Sequence, residues 1–179
     1  VFEPTSLTMK TDPLGMLITR GLPMTEIHHL LKSEERFFLY QLREELPAVV
    51  DLTLTGEFGI ATALIVSIPK TRPFQAVETA ATIRRLRPET RTIIVVDKDI
   101  NVHEPGQVLW AYSIHCRPEH DVVQTETNRE ALIRSLLTID ATPKGPKEGY
   151  RREMPGKVVM DEEITARVDS LWTTYGFSQ

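Results

Sequence analysis

Four consecutive β-branched residues, Ile93, Ile94, Val95 and Val96, constrain the fold of this chain more than any other feature. Their side chains are stiff at χ1 and suit a pleated surface, and none is polar, so the run reads as a fully buried strand. Charge ends it at once, with Asp97, Lys98 and Asp99. The carboxyl end of a strand in an open α/β sheet is a common place for a site, which makes Asp97 and Asp99 candidates for cation binding or acid/base work. The alternative is a solvated turn in which one acid caps a loop N–H. Pro105 and Gly106 mark a turn, and beyond it Val108, Leu109 and Tyr112 fall on one side of a helix. Strand, turn and helix in that order point to helices packed on a sheet.

The flanking sequence extends this pattern. Leu7 to Lys10 reads as a short strand. Thr25 is placed to cap a helix that Ser33 restarts, with Phe37, Phe38, Leu42 and Leu46 as its apolar stripe and Pro47 as its end. Val50 to Thr55 alternates as a half-buried strand should, and Gly56 and Gly59 bracket a turn into the apolar run Ile60 to Ile68, so the two predict an antiparallel hairpin. Pro73 suits the first turn of a further helix, whose inner face would be Phe74, Val77, Ala80 and Ala81, and Pro88 stops it. Val122 to Thr125 reads as another strand. Pro143 to Gly156 holds three Pro and three Gly among mixed charges and reads as an irregular surface segment. Asp161 caps a last helix, Glu162 and Glu163 favour its positive end, and Gly176 closes it after Trp172 and Tyr175. The expected architecture is an α/β sandwich, a mixed β-sheet flanked by helices, over residues 1–160, with residues 161–179 as a terminal helix packed on it or on a partner subunit.

Composition narrows the function classes. The chain has 179 residues, a formal charge of -4 and no basic excess, which argues against nucleic acid as a partner. No apolar stretch approaches the roughly 20 residues of a membrane span, and Val1-Phe2-Glu3-Pro4 lacks the basic-then-apolar pattern of a signal peptide. A cytoplasmic chain is the simplest expectation. The single Cys116 has no internal disulfide partner and reads as a buried, inert thiol.

The five histidines, His28, His29, His103, His115 and His120, form no HExxH and no zinc-like spacing with cysteines, so no metal site is expected. Arg84, Arg85, Arg87 and Arg91 are the dense basic cluster. They suit the negative carboxyl end of the preceding helix, or, as planar guanidinium groups, an anion. GxSxG, P-loop and GxGxxG motifs are absent.

The run IIVVDKDINVHEPGQVLWAYSIHCRPEHD, together with LTMKTDP at the start, Ile139-Asp140-Ala141-Thr142 and VDSLWTTYGFS near the end, resembles the UbiD family of decarboxylases and within it the ferulic acid decarboxylase branch. The four stretches occur in the family's order and resemble its carboxyl-terminal domain. The resemblance implies a Rossmann-like α/β domain that helps the enzyme oligomerise. It implies prenylated FMN as cofactor, made by a separate flavin prenyltransferase, with a divalent metal such as manganese and potassium at its phosphate. It also implies that the catalytic and metal residues lie in an amino-terminal flavin-binding domain, so none is carried over here. A basic residue that the family brings towards the flavin phosphate falls at or near Arg85. The loop from Thr127 to Ser135 departs from the family, being short and polar where the family has a longer loop rich in Gly and Pro.

Three functions follow as expectations. The first is the carboxyl-terminal, oligomerising and cleft-forming part of a UbiD-like decarboxylase of aromatic or α,β-unsaturated acids, inactive alone. The second is a stand-alone assembly or regulatory subunit that pairs with a separate catalytic chain. The third is a small complete enzyme using Asp97, Asp99 and the histidines. Leu171, Trp172 and Tyr175 on the last helix are the expected contacts of a homo-oligomer.

Overall fold

The computed structural model describes residues 5–6, 8–12, 15, 26–57, 60–126, 135–152, 154 and 158–177. The chain divides into two compact units, Val1–Pro143 and Lys144–Gln179. In the first, helix α1 (Glu26–Glu45) leads into the hairpin β1 (Asp51–Glu57) and β2 (Ile60–Ile68), then α2 (Gln75–Leu86), β3 (Thr92–Asp97), α3 (Pro105–His115), the single turn α4 (Pro118–Asp121), β4 (Val122–Glu126) and β5 (Ser135–Ala141). The five strands form one sheet in the order β1-β2-β3-β5-β4. Strands β2, β3 and β5 are parallel, and each edge strand runs antiparallel to its neighbour. A mixed sheet flanked by helices is the α/β arrangement expected from the sequence.

The two sheet faces are covered unequally. On one face Leu52, Leu54, Leu64, Val66, Ile93 and Val95 meet Phe38, Leu39 and Leu42 of α1 and Ala76, Ala80 and Ile83 of α2. This is the main core, and each fully buried Leu or Ile adds about 1.5–3 kcal/mol. On the other face Val96 and Ala141 pack with Ile100, Val102, Val108 and Ala111, so α3 is the helix that covers it. Ile94 points to this second face and is only half-buried. The all-buried reading of β3 is corrected here, because one face of the strand is sealed by two helices and the other by part of one.

Helix α1 also covers the outer edge of β1. The Leu54 N–H donates to Glu35 Oε2 at 2.8 Å and Arg36 Nη2 donates to the Leu52 carbonyl at 2.8 Å. Arg43 Nε donates to the Val49 carbonyl at 2.9 Å, and its Nη2 reaches the Val50 carbonyl. An exposed row of strand N–H and C=O groups invites pairing with another chain, and these side chains occupy it instead.

Several details differ from the sequence reading. Helix α1 runs unbroken through Ser33, and Phe37 lies on its outer face, 79% exposed, while Leu39 takes the inner position. In α2 the buried residues are Ala76, Thr79, Ala80 and Ile83, so the true face is one position off, and Phe74 and Val77 are exposed. Phe74 precedes the helix with φ of 60°, a left-handed backbone that no other non-glycine residue among those described adopts. Leu109 is 64% exposed, and Ala111 and His115 take the buried positions of α3 with Val108. Residues 8–10 form no strand, and Thr25 and Leu7 lie outside the described residues. Cys116 follows α3 and is half-buried rather than buried.

The second unit holds a short 3-10 turn (Pro146–Glu148) and α5 (Glu162–Ser170). Asp161 caps α5 as expected, accepting from the N–H groups of Glu163 at 2.9 Å and Ile164 at 3.4 Å. The α-helix stops at Ser170, and a further turn closes at Gly176, where φ is 85°. Trp172 and Phe177 stack across that turn, ring centroids 4.7 Å apart.

Candidate functional site

The half-covered face of the sheet carries an open groove of about 640 Å³. Its floor follows from strand register. Thr53, Ile65, Ile94 and Ile139 are direct neighbours on β1, β2, β3 and β5, so they form one row across four strands. Val108, Leu109 and Tyr112 of α3 make the wall, and Lys32 and His103 stand at the β1 end. The volume lies within the ~300–1,000 Å³ of ordinary ligand pockets, but the lining is almost wholly apolar.

A closed ring of charged and polar groups sits at that end. Lys32 Nζ donates to Glu35 Oε2 and Thr53 Oγ1, both at 2.9 Å, and lies 3.4 Å from His103 Nδ1. His103 Nε2 is 3.0 Å from Asp51 Oδ2. Arg36 closes the ring, with Nη1 on Asp51 Oδ1 at 2.9 Å and Nη2 on Glu35 Oε1 at 2.7 Å. Burial pushes the Glu35 carboxyl up, but the Leu54 N–H and the donors Lys32, Thr53 and Arg36 outweigh it and hold the group below its usual value. Asp51 behaves alike: burial raises it, and the Leu52 N–H, His103 and Arg36 together lower it. Arg36 loses some affinity for its proton to burial and regains more from Glu35 and Asp51. The charges of Lys32 and Arg36 balance those of Glu35 and Asp51, so the ring is a framework that fixes Lys32 and His103 beside the groove.

A second polar cluster marks the carboxyl ends of the parallel strands. Asp97 Oδ1 accepts from the Lys98 N–H at 2.8 Å and the Lys70 N–H at 3.2 Å. Asp140, 5% exposed, accepts from the Thr142 N–H at 2.9 Å and its hydroxyl at 2.6 Å, with Lys70 Nζ 4.0 Å away. Asp97 therefore caps loop N–H groups, and Asp99 stands exposed in the turn beyond it.

The histidines are scattered. His103 joins the ring, His115 is buried edge-on to Trp110 with ring centroids 5.6 Å apart, and His29 and His120 are exposed. Among the described residues no three His, Cys, Asp or Glu side chains group as a metal site. The arginines mainly tie elements together. Arg85 pairs with Glu45 on α1, and Arg87 pairs with Glu34 and with Glu89 at 3.0 Å while lying over the Phe38 ring at 5.1 Å. Arg84 Nη1 donates to Thr138 Oγ1 at 2.6 Å, and burial lowers its proton affinity. Arg91 is exposed. Helix α2 leaves the carboxyl end of β2 and returns to the amino end of β3, so Arg85, in its last turn, lies towards the amino ends of the parallel strands. Residues 58–59 and 127–134 of the β1–β2 and β4–β5 connections lie outside the described residues, and with them most of the loop that departs from the family.

Sequence reading missed Lys32, Glu35, Arg36 and Asp51, because the ring joins three segments with no spacing signal. It also missed strand β5, whose Thr138 and Asp140 break the apolar run. The ring's one readable hint was a lysine and a glutamate three apart on one helix face. Chemically, the groove can hold an apolar group or segment with a cation at one end.

Comparison with known proteins places this architecture. The model of the 3-octaprenyl-4-hydroxybenzoate carboxy-lyase C-terminal domain matches residues 28–161. An uncharacterized protein of Archaeoglobus fulgidus is 37% identical over 96% of this chain and 38% of its own length, and one of Aquifex aeolicus is 33% identical over 96% and 37%. The chain thus spans less than two fifths of these relatives. Among solved structures, the open form of a vanillic acid decarboxylase from Sedimentibacter hydroxybenzoicus superposes with a TM-score of 0.70 at 24% identity, over 87% of this chain and 36% of that one. An evolved dimeric form of the UbiD-class enzyme HmfF from Pelotomaculum thermopropionicum, in complex with prFMN, superposes at 0.55 with 22% identity, over 74% and 28%. These two likenesses support the fold, and the matched family model, over residues 28–161, shows the membership. The chain belongs to the UbiD family, as its carboxyl-terminal domain.

Proposed function

We propose that this chain is the oligomerising and cleft-forming part of a prenylated-FMN-dependent decarboxylase of aromatic or α,β-unsaturated carboxylic acids, and that it is inactive alone. The observation that carries the reading is the half-covered sheet: among the described residues one face has two helices, and the other has one helix and an open apolar groove. A chain that spans 38% of a relative's length would meet the remainder across such a surface. The partner is then an amino-terminal flavin-binding domain, on the same polypeptide or a separate catalytic subunit, with a flavin prenyltransferase as supplier of the cofactor. A cytoplasmic location belongs to the same proposal; among the described residues no helix is long and apolar enough to cross a membrane.

The described residues fit the cofactor only at the margin. They offer no three-ligand metal set, so the divalent metal and potassium would be held by the flavin-binding part. Arg85 is the candidate contact to the flavin phosphate: its side chain is 62% exposed and would exchange Glu45 for the anion. When bound, prenylated FMN supplies an electron sink for loss of carbon dioxide. The role of this chain would be to close one wall of the cleft and exclude water.

A stand-alone assembly or regulatory subunit is the second reading, and the same open face favours it. Copurification separates the two. A flavin-binding region covalently continuous with this chain supports the first, and a separate flavin-binding chain that elutes with it supports the second. Flavin binding by the isolated chain at the affinity of the whole enzyme contradicts both.

A further inference from the structure

We propose that His103 is a proton-operated switch: while neutral it holds Lys32 in the charged ring, and on protonation it expels Lys32. The ring supplies all the parts, and its contacts lie within the first unit. His103 belongs to the connection between β3 and α3 and is fixed there by its backbone N–H, which donates to Asn101 Oδ1 at 3.0 Å. Its imidazole stands between a cation and an anion, with Nδ1 3.4 Å from Lys32 Nζ and Nε2 3.0 Å from Asp51 Oδ2. An ammonium only donates, and an ionised carboxylate only accepts. Nδ1 must therefore carry the lone pair and Nε2 the proton, because the other tautomer opposes both neighbours.

A second proton can enter only at Nδ1, where it meets Lys32. Two donors of like charge then face each other across 3.4 Å, and one has to leave. Lys32 is the one that can. Its side chain is 54% exposed, and the buried carboxylate it gives up keeps other partners: Glu35 Oε2 retains the Leu54 N–H, and Oε1 retains Arg36. Arg36 stays, held by Asp51, Glu35 and the Leu52 carbonyl, and Asp51 Oδ2 keeps the imidazolium in place. One cation replaces another, so the ring remains balanced in charge. The β1 end of the groove then exchanges an ammonium on Thr53 for an imidazolium on Asp51. The other charged groups around this end are Lys98 and Asp99, which line a depression with Asp51, and Glu104, next in the chain; Tyr112 of α3 lines the groove with His103. Imidazole is the one group of this set whose ordinary charge change falls between about pH 5 and 8.

The test is NMR of the full chain with isotope-labelled histidine, lysine and threonine, titrated from pH 8 to pH 5. At pH 8 His103 should show the Nε2–H tautomer, with a nuclear Overhauser contact between the Lys32 ε-methylene and the Thr53 methyl. That contact should be lost in step with protonation of His103. In His103→Gln, whose amide gains no proton in this range, it should persist to pH 5. His28 lies one helical turn before Lys32 on α1, and the same variant separates its titration from that of His103. Three results overturn the proposal: an Nδ1–H tautomer at pH 8, a Lys32 to Thr53 contact that survives protonation of His103, or a loss that proceeds equally in His103→Gln. The first two are read on the unaltered chain, and none involves flavin or decarboxylation, so failure here is distinguishable from failure of the enzymatic reading.

Discussion

Glu35 is the most exacting test of the charged ring. Its side chain is 1% exposed and accepts from the Leu54 N–H, Lys32 and Arg36. Glu35→Ala leaves the Leu54 N–H without its acceptor, which costs about 1–3 kcal/mol for a buried donor. Loss of the ion pairs adds less than the figure for a fully buried pair, because Lys32 and Arg36 are 54% and 48% exposed and regain water. The sum is about 2–4 kcal/mol for Ala, and about 1–2 kcal/mol for Gln, which keeps an acceptor. The carboxyl is held below its usual value in the fold. Its stabilisation is therefore complete above the ordinary carboxyl pKa, about 4.3, and is lost as pH falls through the lower folded value. Urea denaturation of wild type and Glu35→Gln at pH 7 and pH 3 measures this. The stability gap should shrink at the lower pH. A gap that is unchanged at pH 3, or an Ala variant as stable as wild type, refutes the reasoning.

Four further changes probe other parts. Phe74→Gly should stabilise the first unit by about 1 kcal/mol, since the φ of 60° is costly for a side chain and free for glycine; a lower melting temperature would show that the exposed ring is needed. Asp161→Ala should weaken α5 by about 1 kcal/mol through loss of its cap, seen as reduced helical circular dichroism, with no loss in the first unit. Arg87→Ala should cost about 2 kcal/mol, because Arg87 is 8% exposed, paired with Glu34 and Glu89 and set over Phe38. Arg85→Ala should cost under about 1 kcal/mol in stability while lowering flavin affinity of the assembled enzyme, and unchanged affinity removes Arg85 from the cofactor site.

Much of the fold was legible where local chemistry left one solution. The run Ile93 to Val96 could only be a strand, the hairpin followed from alternation and two glycines, and Pro47 and Pro88 lie just past the ends of α1 and α2. Helix faces were less legible. Phe37 and Phe38 are adjacent, and only the neighbouring Leu39 and Leu42 decide which one turns inward. In α2 the inner face is built from alanines and Thr79, small residues whose burial follows from close approach of the helix rather than from hydropathy. The groove was illegible for a different reason. Ile65, Ile94 and Ile139 look like core residues in sequence, and they line the groove because, among the described residues, α3 is the one helix on their face. The charged ring joins residues up to 71 positions apart, so no spacing announces it.

The most direct test of the account is carbon dioxide release from ferulic and 4-hydroxybenzoic acids. It is measured with this chain alone, with a prenylated-FMN-loaded UbiD-type amino-terminal part alone, and with both together. The account predicts release only when both are present. Release by this chain alone, or by the flavin-binding part at the same rate without it, would contradict the account.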